Sequence, residues 1–99
     1  MKDIQPHELK LRLKNGEKLT MLDVREEWEF EERNIGARSF PLYSIPKKLT
    51  DLESLRNQEI IVHCQSGKRS IQAKKFLLKN GFGKVRSLNG GLEAYLQGE

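Results

Sequence analysis

The sequence feature that most constrains the fold is an apolar run that ends at the only cysteine of the chain. Residues 60–64 read Ile-Ile-Val-His-Cys, and a short polar loop containing Gly67 separates them from a helical pattern that begins at Ser70. A strand, a tight loop and a helix in this order place backbone N–H groups at the carboxyl edge of a sheet. Because a helix N-terminus favours negative charge and the thiolate is the reactive form of cysteine, we interpret Cys64 as a nucleophile rather than a buried structural thiol.

Strand and helix patterns alternate along the rest of the chain. The expected strands cover residues 2–5, 19–24, 36–42, 59–63 and 85–88, and helical patterns occupy 6–15, 25–33, 45–55, 70–80 and the segment after Gly90-Gly91. This alternation over short connections predicts an α/β fold in which a central, mainly parallel five-stranded sheet has helices on both faces. Asp23, at the end of its strand, is then expected at the same sheet edge as Cys64. In the helix over 70–80, Ile71 and Leu78 lie opposite the main apolar face, which predicts packing on more than one side.

Length and cysteine count limit the architecture. A chain of 99 residues supports one core, so we expect a single domain over residues 1–99. No apolar run approaches the roughly 20 residues of a membrane helix, and residues 1–6 lack the apolar part of a signal peptide. We therefore expect a cytoplasmic protein without a membrane partner. One cysteine excludes an internal disulfide, a multi-cysteine zinc site and a resolving thiol within the chain.

The charge pattern argues against nucleic-acid binding. Eighteen Lys and Arg against fourteen Asp and Glu give a net charge of +4. Acidic and basic residues interleave along most of the chain, and no basic stripe alternates with aromatic residues. The surplus is therefore expected to attract small anions mildly, and nothing in the sequence points to a metal or other cofactor.

Several segments, in order and spacing, resemble the rhodanese-like sulfurtransferase family over nearly the whole chain. They are Leu22-Asp23-Val24-Arg25-Glu26, Gly36-Ala37 followed by Pro41-Leu42, Cys64-Gln65-Ser66-Gly67-Lys68-Arg69-Ser70, Gly81-Phe82, and Leu88-Asn89-Gly90-Gly91. The resemblance implies a rhodanese-like fold. It also implies transfer of sulfane sulfur from an anionic donor, thiosulfate or a persulfide, to a thiophilic acceptor through a persulfide on Cys64.

The resemblance also assigns roles around the nucleophile. The expected binding loop for the donor and the persulfide consists of Gln65, Ser66, Gly67, Lys68 and Arg69. Backbone N–H groups of this loop would stabilise the anionic persulfide as an oxyanion hole stabilises developing charge. Because the chain has no second cysteine, the acceptor must come from outside it, as cyanide, a small thiol or a protein thiol.

Supporting roles are expected for Asp23, Arg25 and Ser70. Asp23 should accept hydrogen bonds that hold the edge of the site together, and the Ser70 side chain should satisfy backbone amides of the loop and the helix start. Two questions stay open at this point. Arg69 could contact the donor or order the loop through a carboxylate, and Arg25 could attract the donor or pair with a nearby glutamate.

Two other functions compete with sulfur transfer. Tyrosine phosphatases use a His-Cys-x5-Arg loop, whereas this chain has four residues between Cys64 and Arg69, and Ser70 stands where the phosphatase arginine would be needed. The shorter loop disfavours phosphatase or arsenate reductase chemistry. A non-catalytic or regulatory rhodanese-like binding module is the other alternative, and the presence of Cys64 in a basic loop weighs against it.

Overall fold

The computed structural model describes residues 1–97, so positions 98 and 99 of the predicted domain lie outside the described residues. Eight helices and strands are formed within that range, together with 3₁₀ segments at Leu42–Ser44 and Leu49–Leu55. In chain order they are α1 (Pro6–Lys14), β1 (Thr20–Asp23), α2 (Glu27–Glu32), β2 (Arg38–Ser39), β3 (Ile60–His63), α3 (Lys68–Lys79), β4 (Val85–Ser87) and α4 (Gly91–Gln97).

The sheet is parallel throughout, in the order β2-β1-β3-β4. It has four strands within residues 1–97, so the prediction of five strands is wrong. The expected first strand is reduced to one parallel bridge between Ile4 and Leu88. Pro6 begins α1 two residues after Ile4, which leaves this segment too short to extend the pairing.

Alternate residues of the strands supply two separate apolar clusters. Leu22, Val62 and Val85 point to the side that carries α3 and the second 3₁₀ segment, while Met21 and Ile61 point to the side that carries α1. Cys64 continues the first set and packs in the same cluster as these three residues. Helices therefore cover both faces of the sheet, as the sequence predicts.

Two local expectations need correction. Helix α3 begins at Lys68, two residues earlier than predicted, because Gly67 adopts the left-handed conformation and takes the N-cap position. Ile71 and Leu78 are each 43% exposed, so the prediction that α3 packs on more than one side is wrong.

The segment over 45–55 was expected to be helical, and it differs from the other helices in type. Its apolar residues Leu49, Leu52 and Leu55 recur every third position, and the structure forms a 3₁₀ helix, whose period is three residues. Among residues 1–97, no helix combines the length and apolar character needed to cross a membrane.

Candidate active site

The loop between β3 and α3 encloses the side chain of Cys64. Strand β3 is buried along its whole length, and the chain turns at its carboxyl end before α3 starts. Gly67 makes that turn with a φ of 104°, a region that L side chains rarely adopt. The glycine in this loop is thus a backbone requirement of the turn.

Two backbone N–H groups donate to the sulfur of Cys64. The Gly67 nitrogen lies 3.0 Å from Sγ and the Ser70 nitrogen lies 3.3 Å from it. Both belong to the N-cap and first turn of α3, where backbone N–H groups lack partners within the helix. The sulfur therefore occupies an anion-binding position, and Cys64 itself has no exposed surface.

A pair of buried hydroxyl groups lies next to the sulfur. Ser70 Oγ is 3.6 Å from Cys64 Sγ, donates to the Gly67 carbonyl oxygen at 3.1 Å, and lies 2.7 Å from Ser87 Oγ on β4. Ser70 was expected to satisfy backbone amides, whereas its hydroxyl donates to a carbonyl oxygen of the loop. Ser87 was not among the residues that the sequence singled out.

The start of α4 braces the loop through the backbone. The Leu92 nitrogen donates to the Cys64 carbonyl oxygen at 2.8 Å, and the Glu93 nitrogen donates to the Gln65 carbonyl oxygen at 3.0 Å. A Cβ atom on Gly91 would lie 2.5 Å from the Gln65 oxygen and 2.7 Å from the Cys64 oxygen. Glycine at position 91 therefore permits the close approach of α4 to the loop.

Asp23 and Arg25 form a buried ion pair at the end of β1. Arg25 Nη2 lies 2.8 Å from Asp23 Oδ2, and the Arg25 backbone N–H also donates to Asp23 Oδ1 at 3.0 Å. The guanidinium donates further to the Arg33 carbonyl oxygen at 2.6 Å. The partner of Arg25 is thus an aspartate two residues earlier rather than a glutamate.

Arg69 is held by a carboxylate from α2. Its Nη1 and Nη2 atoms lie 2.6 and 3.0 Å from the two oxygens of Glu29, a bidentate pair across 40 residues of sequence. Hydrogen bonding from Arg69 lowers the pKa of Glu29 to about 2, although partial burial opposes that shift. In this structure the Arg69 side chain links α2 to the loop.

His63 precedes the nucleophile but points to the other face of the sheet. It is completely buried, and its Nε2 lies 3.6 Å from Asp23 Oδ2, beyond hydrogen-bond distance. Burial lowers its pKa below the ordinary value, a shift that the Asp23 charge partly opposes. The side chain is therefore neutral near pH 7 and stands away from the sulfur.

Two cavities border the loop on its solvent side. One, of about 180 Å³, is lined by Val24, Glu26, Pro41, Leu42, Tyr43 and Arg69. The other, of about 330 Å³, lies between α2 and α4 and includes Trp28 and Gln65 in its lining. Val24, which lines the smaller cavity, packs in the same apolar cluster as Cys64.

Of the remaining loop residues, Ser66 and Lys68 are exposed and Gln65 is partly buried. Across residues 1–97, the acidic, cysteine and histidine side chains form no cluster of three or more that could hold a metal ion. The site that the structure presents therefore consists of a thiol, backbone N–H groups and hydroxyl groups.

Sequence reasoning missed two residues of this site. Glu29 lies in a helix of many glutamates, and no local pattern distinguishes the one that reaches Arg69. Ser87 is a buried polar residue of β4 between Arg86 and Leu88, and no local pattern marks it as part of the site. Both contacts depend on tertiary packing rather than on sequence spacing.

The sequence resemblance implies an α/β fold with a parallel sheet. It also implies a cysteine at the carboxyl edge of that sheet whose sulfur accepts hydrogen bonds from backbone N–H groups. The sequence profile of the rhodanese-like domain matches residues 5–97, and the chain belongs to the rhodanese-like domain family.

The comparisons with individual proteins agree with that assignment. A sulfurtransferase of Allochromatium vinosum is 30% identical over 94 residues, which cover 94% of this chain and 86% of that protein. The crystal structure of a rhodanese-like domain protein from Staphylococcus aureus superposes with a TM-score of 0.86 at 29% identity, covering 96% of this chain and 91% of that one. A rhodanese-like domain from Anabaena gives a TM-score of 0.84 at 31% identity, covering 96% and 73% of the two chains.

Proposed function

We propose that the chain is a rhodanese-type sulfurtransferase in which Cys64 carries sulfur as a persulfide. The observation that carries this proposal is the pair of N–H groups, from Gly67 and Ser70, directed at the Cys64 sulfur. Oriented N–H groups stabilise an anionic sulfur without the cost of reorganising solvent. Relatives named as sulfurtransferases support the same reaction class.

In the first step, the Cys64 thiolate attacks the outer sulfur of an anionic donor such as thiosulfate. A bond forms between Cys64 Sγ and that sulfur, the sulfur–sulfur bond of the donor breaks, and its electron pair leaves with sulfite. The product is a Cys64 persulfide anion, so the total charge is unchanged. A persulfide donor would react in the same way, with its thiolate as leaving group.

In the second step, an external thiolate or cyanide attacks the outer sulfur of the persulfide. The new bond forms to the acceptor, the bond within the persulfide breaks, and the Cys64 thiolate is regenerated with that electron pair. This is covalent catalysis of the ping-pong type. The acceptor is external because Cys64 is the only cysteine of the chain.

Backbone groups rather than arginines are proposed to hold the transferred sulfur. Arg69 is paired with Glu29, and Arg25 is paired with Asp23, so both guanidinium charges are compensated. Lys68 is exposed in the first turn of α3 and is our candidate for attracting the anionic donor. The sulfur itself is buried, and we propose that the donor enters beside Tyr43 and Arg69, which line the smaller cavity.

A turnover assay tests the proposal with two alternative donors, thiosulfate and a small persulfide. The protein should release sulfite from thiosulfate when cyanide or a thiol is present, or transfer sulfur from a small persulfide to that acceptor. Cys64→Ser should abolish both reactions, because the hydroxyl is a poor nucleophile toward sulfane sulfur. Cys64-independent transfer, or no transfer from either donor, would contradict the proposal.

A binding or regulatory role is the outcome that a negative result would favour. Activity toward arsenate or phosphate esters that depends on Cys64 would instead support the phosphatase or arsenate reductase alternative, despite the shorter loop. The cytoplasmic location stays a prediction from the sequence, as do thiosulfate or a persulfide as the donor and cyanide or a thiol as the acceptor.

A further inference from the structure

We propose that Ser87 is a positioning residue that favours the thiolate form of Cys64 through the hydroxyl group of Ser70. This inference rests on the proposed role of Cys64 as the nucleophile. It adds a residue on β4 that lies outside the segments on which the family resemblance depends.

The geometry isolates these three side chains from solvent. Ser87 Oγ lies 2.7 Å from Ser70 Oγ, which in turn lies 3.6 Å from Cys64 Sγ. The exposed fractions of Ser87, Ser70 and Cys64 are 1%, 0% and 0%. A buried hydroxyl without a partner is costly, and the contact between the two serines satisfies both of their hydroxyl groups.

Counting hydrogens fixes the direction of the contact between the two serines. Each hydroxyl has one hydrogen to donate. Ser70 is within donating distance of the Gly67 carbonyl oxygen, at 3.1 Å. When Ser70 donates there, the hydrogen in the 2.7 Å contact must come from Ser87.

The thiol and the thiolate place different demands on Ser70. While Cys64 is a thiol, its S–H can donate to one lone pair of Ser70 Oγ, and the Ser87 hydroxyl donates to the other. Once the thiol has lost its proton to solvent, Ser70 can turn its hydrogen from the Gly67 carbonyl oxygen toward Sγ. Ser87 continues to donate to Ser70, and a hydroxyl that accepts a hydrogen bond becomes a stronger donor itself. The Ser87 hydroxyl therefore favours the thiolate.

The charged groups near this chain of hydroxyls are fixed by their own partners. Behind Ser87, Asp3 accepts the Ser87 backbone N–H at 2.9 Å and pairs with Lys74 at 2.6 Å. Burial would raise the pKa of Asp3, but the hydrogen bonds from Lys74 and the Ser87 backbone lower it below its ordinary value. Asp3 therefore keeps its negative charge near neutral pH.

On the solvent side, Arg69 interacts electrostatically with Cys64, and Glu29 of α2 holds its guanidinium group. His63 of β3 points to the opposite face of the sheet and is neutral. None of these groups is altered by removing the Ser87 hydroxyl, so a change in the titration of Cys64 would report on that hydroxyl.

The test is a pH titration of thiolate absorbance. The signal of Cys64 is taken as the difference between each protein and the same protein carrying Cys64→Ala, which needs no access of a reagent to the buried sulfur. Ser87→Ala should move the titration midpoint upward by about half to one pH unit, the effect expected of one hydrogen bond. Ser87→Thr, which keeps the hydroxyl, should restore the midpoint of the unmodified protein.

Ser39→Ala is the matched control. Ser39 also has a buried Oγ, at the opposite edge of the sheet, and within residues 1–97 that atom has no hydrogen-bond partner. It should leave the midpoint unchanged. An unchanged midpoint in folded Ser87→Ala, or an equal change in Ser39→Ala, would overturn the inference.

The outcome is separable from that of the proposed function. A shifted midpoint in Ser87→Ala with no sulfur transfer by the unmodified protein would leave the inference standing while contradicting sulfurtransferase activity. Sulfur transfer by the unmodified protein together with an unshifted midpoint in Ser87→Ala would support sulfurtransferase activity and overturn the inference about Ser87. A parallel shift in the pH profile of sulfur loading, without loss of donor affinity, is expected when both hold.

Discussion

At the scale of single residues, the buried ion pair of Asp23 and Arg25 is the most consequential charge contact near the site. The two side chains are 0% and 3% exposed. Removing one partner of a buried pair leaves the other charge uncompensated in a medium of low dielectric constant. We therefore regard Asp23 as a residue that holds the end of β1 in shape rather than one that contacts sulfur.

Asp23→Asn should destabilise the protein by about 3 kcal/mol, because it leaves the Arg25 guanidinium buried without its counter-charge. Urea unfolding of the variant and of the unmodified protein measures the change in the free energy of unfolding. Asp51→Asn, at an exposed position, is the control and should change it little. Equal stability of the Asp23 variant and the unmodified protein would be inconsistent with this pair.

His63 predicts a separate dependence of stability on pH. Burial lowers its pKa in the folded protein below the ordinary value of 6.5. As the pH falls below about 6.5, the unfolded chain takes up a proton that the folded protein does not bind. The free energy of unfolding should therefore be highest above this pH and should decrease toward acid.

The variant His63→Leu should lose this component, so that its stability stays flat from pH 7 down to the range where carboxylates titrate. Denaturant unfolding at a series of pH values would reveal the difference. His7→Gln, a substitution at the exposed histidine, should keep the dependence of the unmodified protein. A His63→Leu profile that parallels the unmodified one would show that His63 does not cause it.

At the scale of secondary-structure elements, α2 is tied to the active loop by one bidentate contact. Glu29 also accepts the Glu26 backbone N–H at 2.9 Å, so the same carboxylate caps α2 and holds Arg69. The structure thereby supports loop ordering over donor contact as the role of Arg69. Sequence reasoning left these two possibilities even.

Glu29→Gln should cost about 1 kcal/mol at neutral pH, a modest value because the Arg69 side chain is partly exposed. The pKa of Glu29 in the folded protein is about 2, below its ordinary 4.5. The stability difference between the unmodified protein and the variant should thus be fully present above about pH 4.5 and disappear as the pH falls toward 2. Glu31→Gln on the same helix should show no such difference in unfolding experiments.

Packing of α4 against the loop gives a sharper prediction. An alanine at position 91 would bring its Cβ within 2.7 Å of backbone atoms of the loop, which cannot move as a side-chain end can. Gly91→Ala should therefore lower stability by about 2 kcal/mol and reduce sulfur loading together.

Thermal unfolding and the sulfur-loading rate of Gly91→Ala can be compared with those of Gly83→Ala. At Gly83 an added Cβ would meet no atom within 4 Å, and φ lies outside the positive range. The Gly83 variant should resemble the unmodified protein in both measurements. Matching behaviour of the two variants would argue against a close approach of α4.

The elements that could be predicted from the sequence are those with a local signal. The apolar run over 60–63, the proline at the start of α1 and the glycine before α3 each act on their own neighbours, and the structure confirms the elements that they mark. The prediction of a first strand was wrong because α1 begins at Pro6 and ends the extended segment. The weak pattern of residues 2–5 could not show that the pairing would be limited to one bridge. Contacts such as Glu29 with Arg69 join distant segments and leave no sequence signal.

At the scale of the whole molecule, polar side-chain contacts hold the N-terminal segment in addition to the buried side chain of Ile4 and its bridge to Leu88. Asp3 pairs with Lys74 of α3, and the Lys2 carbonyl oxygen accepts from Arg86 of β4 at 2.6 Å. Arg86 also pairs with Glu8 of α1 and Glu59 before β3. Interleaved charges in the sequence thus become ion pairs between elements, which is consistent with a small net charge and no basic stripe.

The whole fold brings one thiol to the carboxyl edge of the sheet, and the central claim is that this thiol carries sulfur. Intact-mass spectrometry after incubation with thiosulfate, and separately with a small persulfide, measures this directly. We predict a gain of one sulfur atom that is lost on adding cyanide or a thiol and is absent in Cys64→Ala. No gain with either donor, or an equal gain in the Cys64→Ala protein, would contradict the claim.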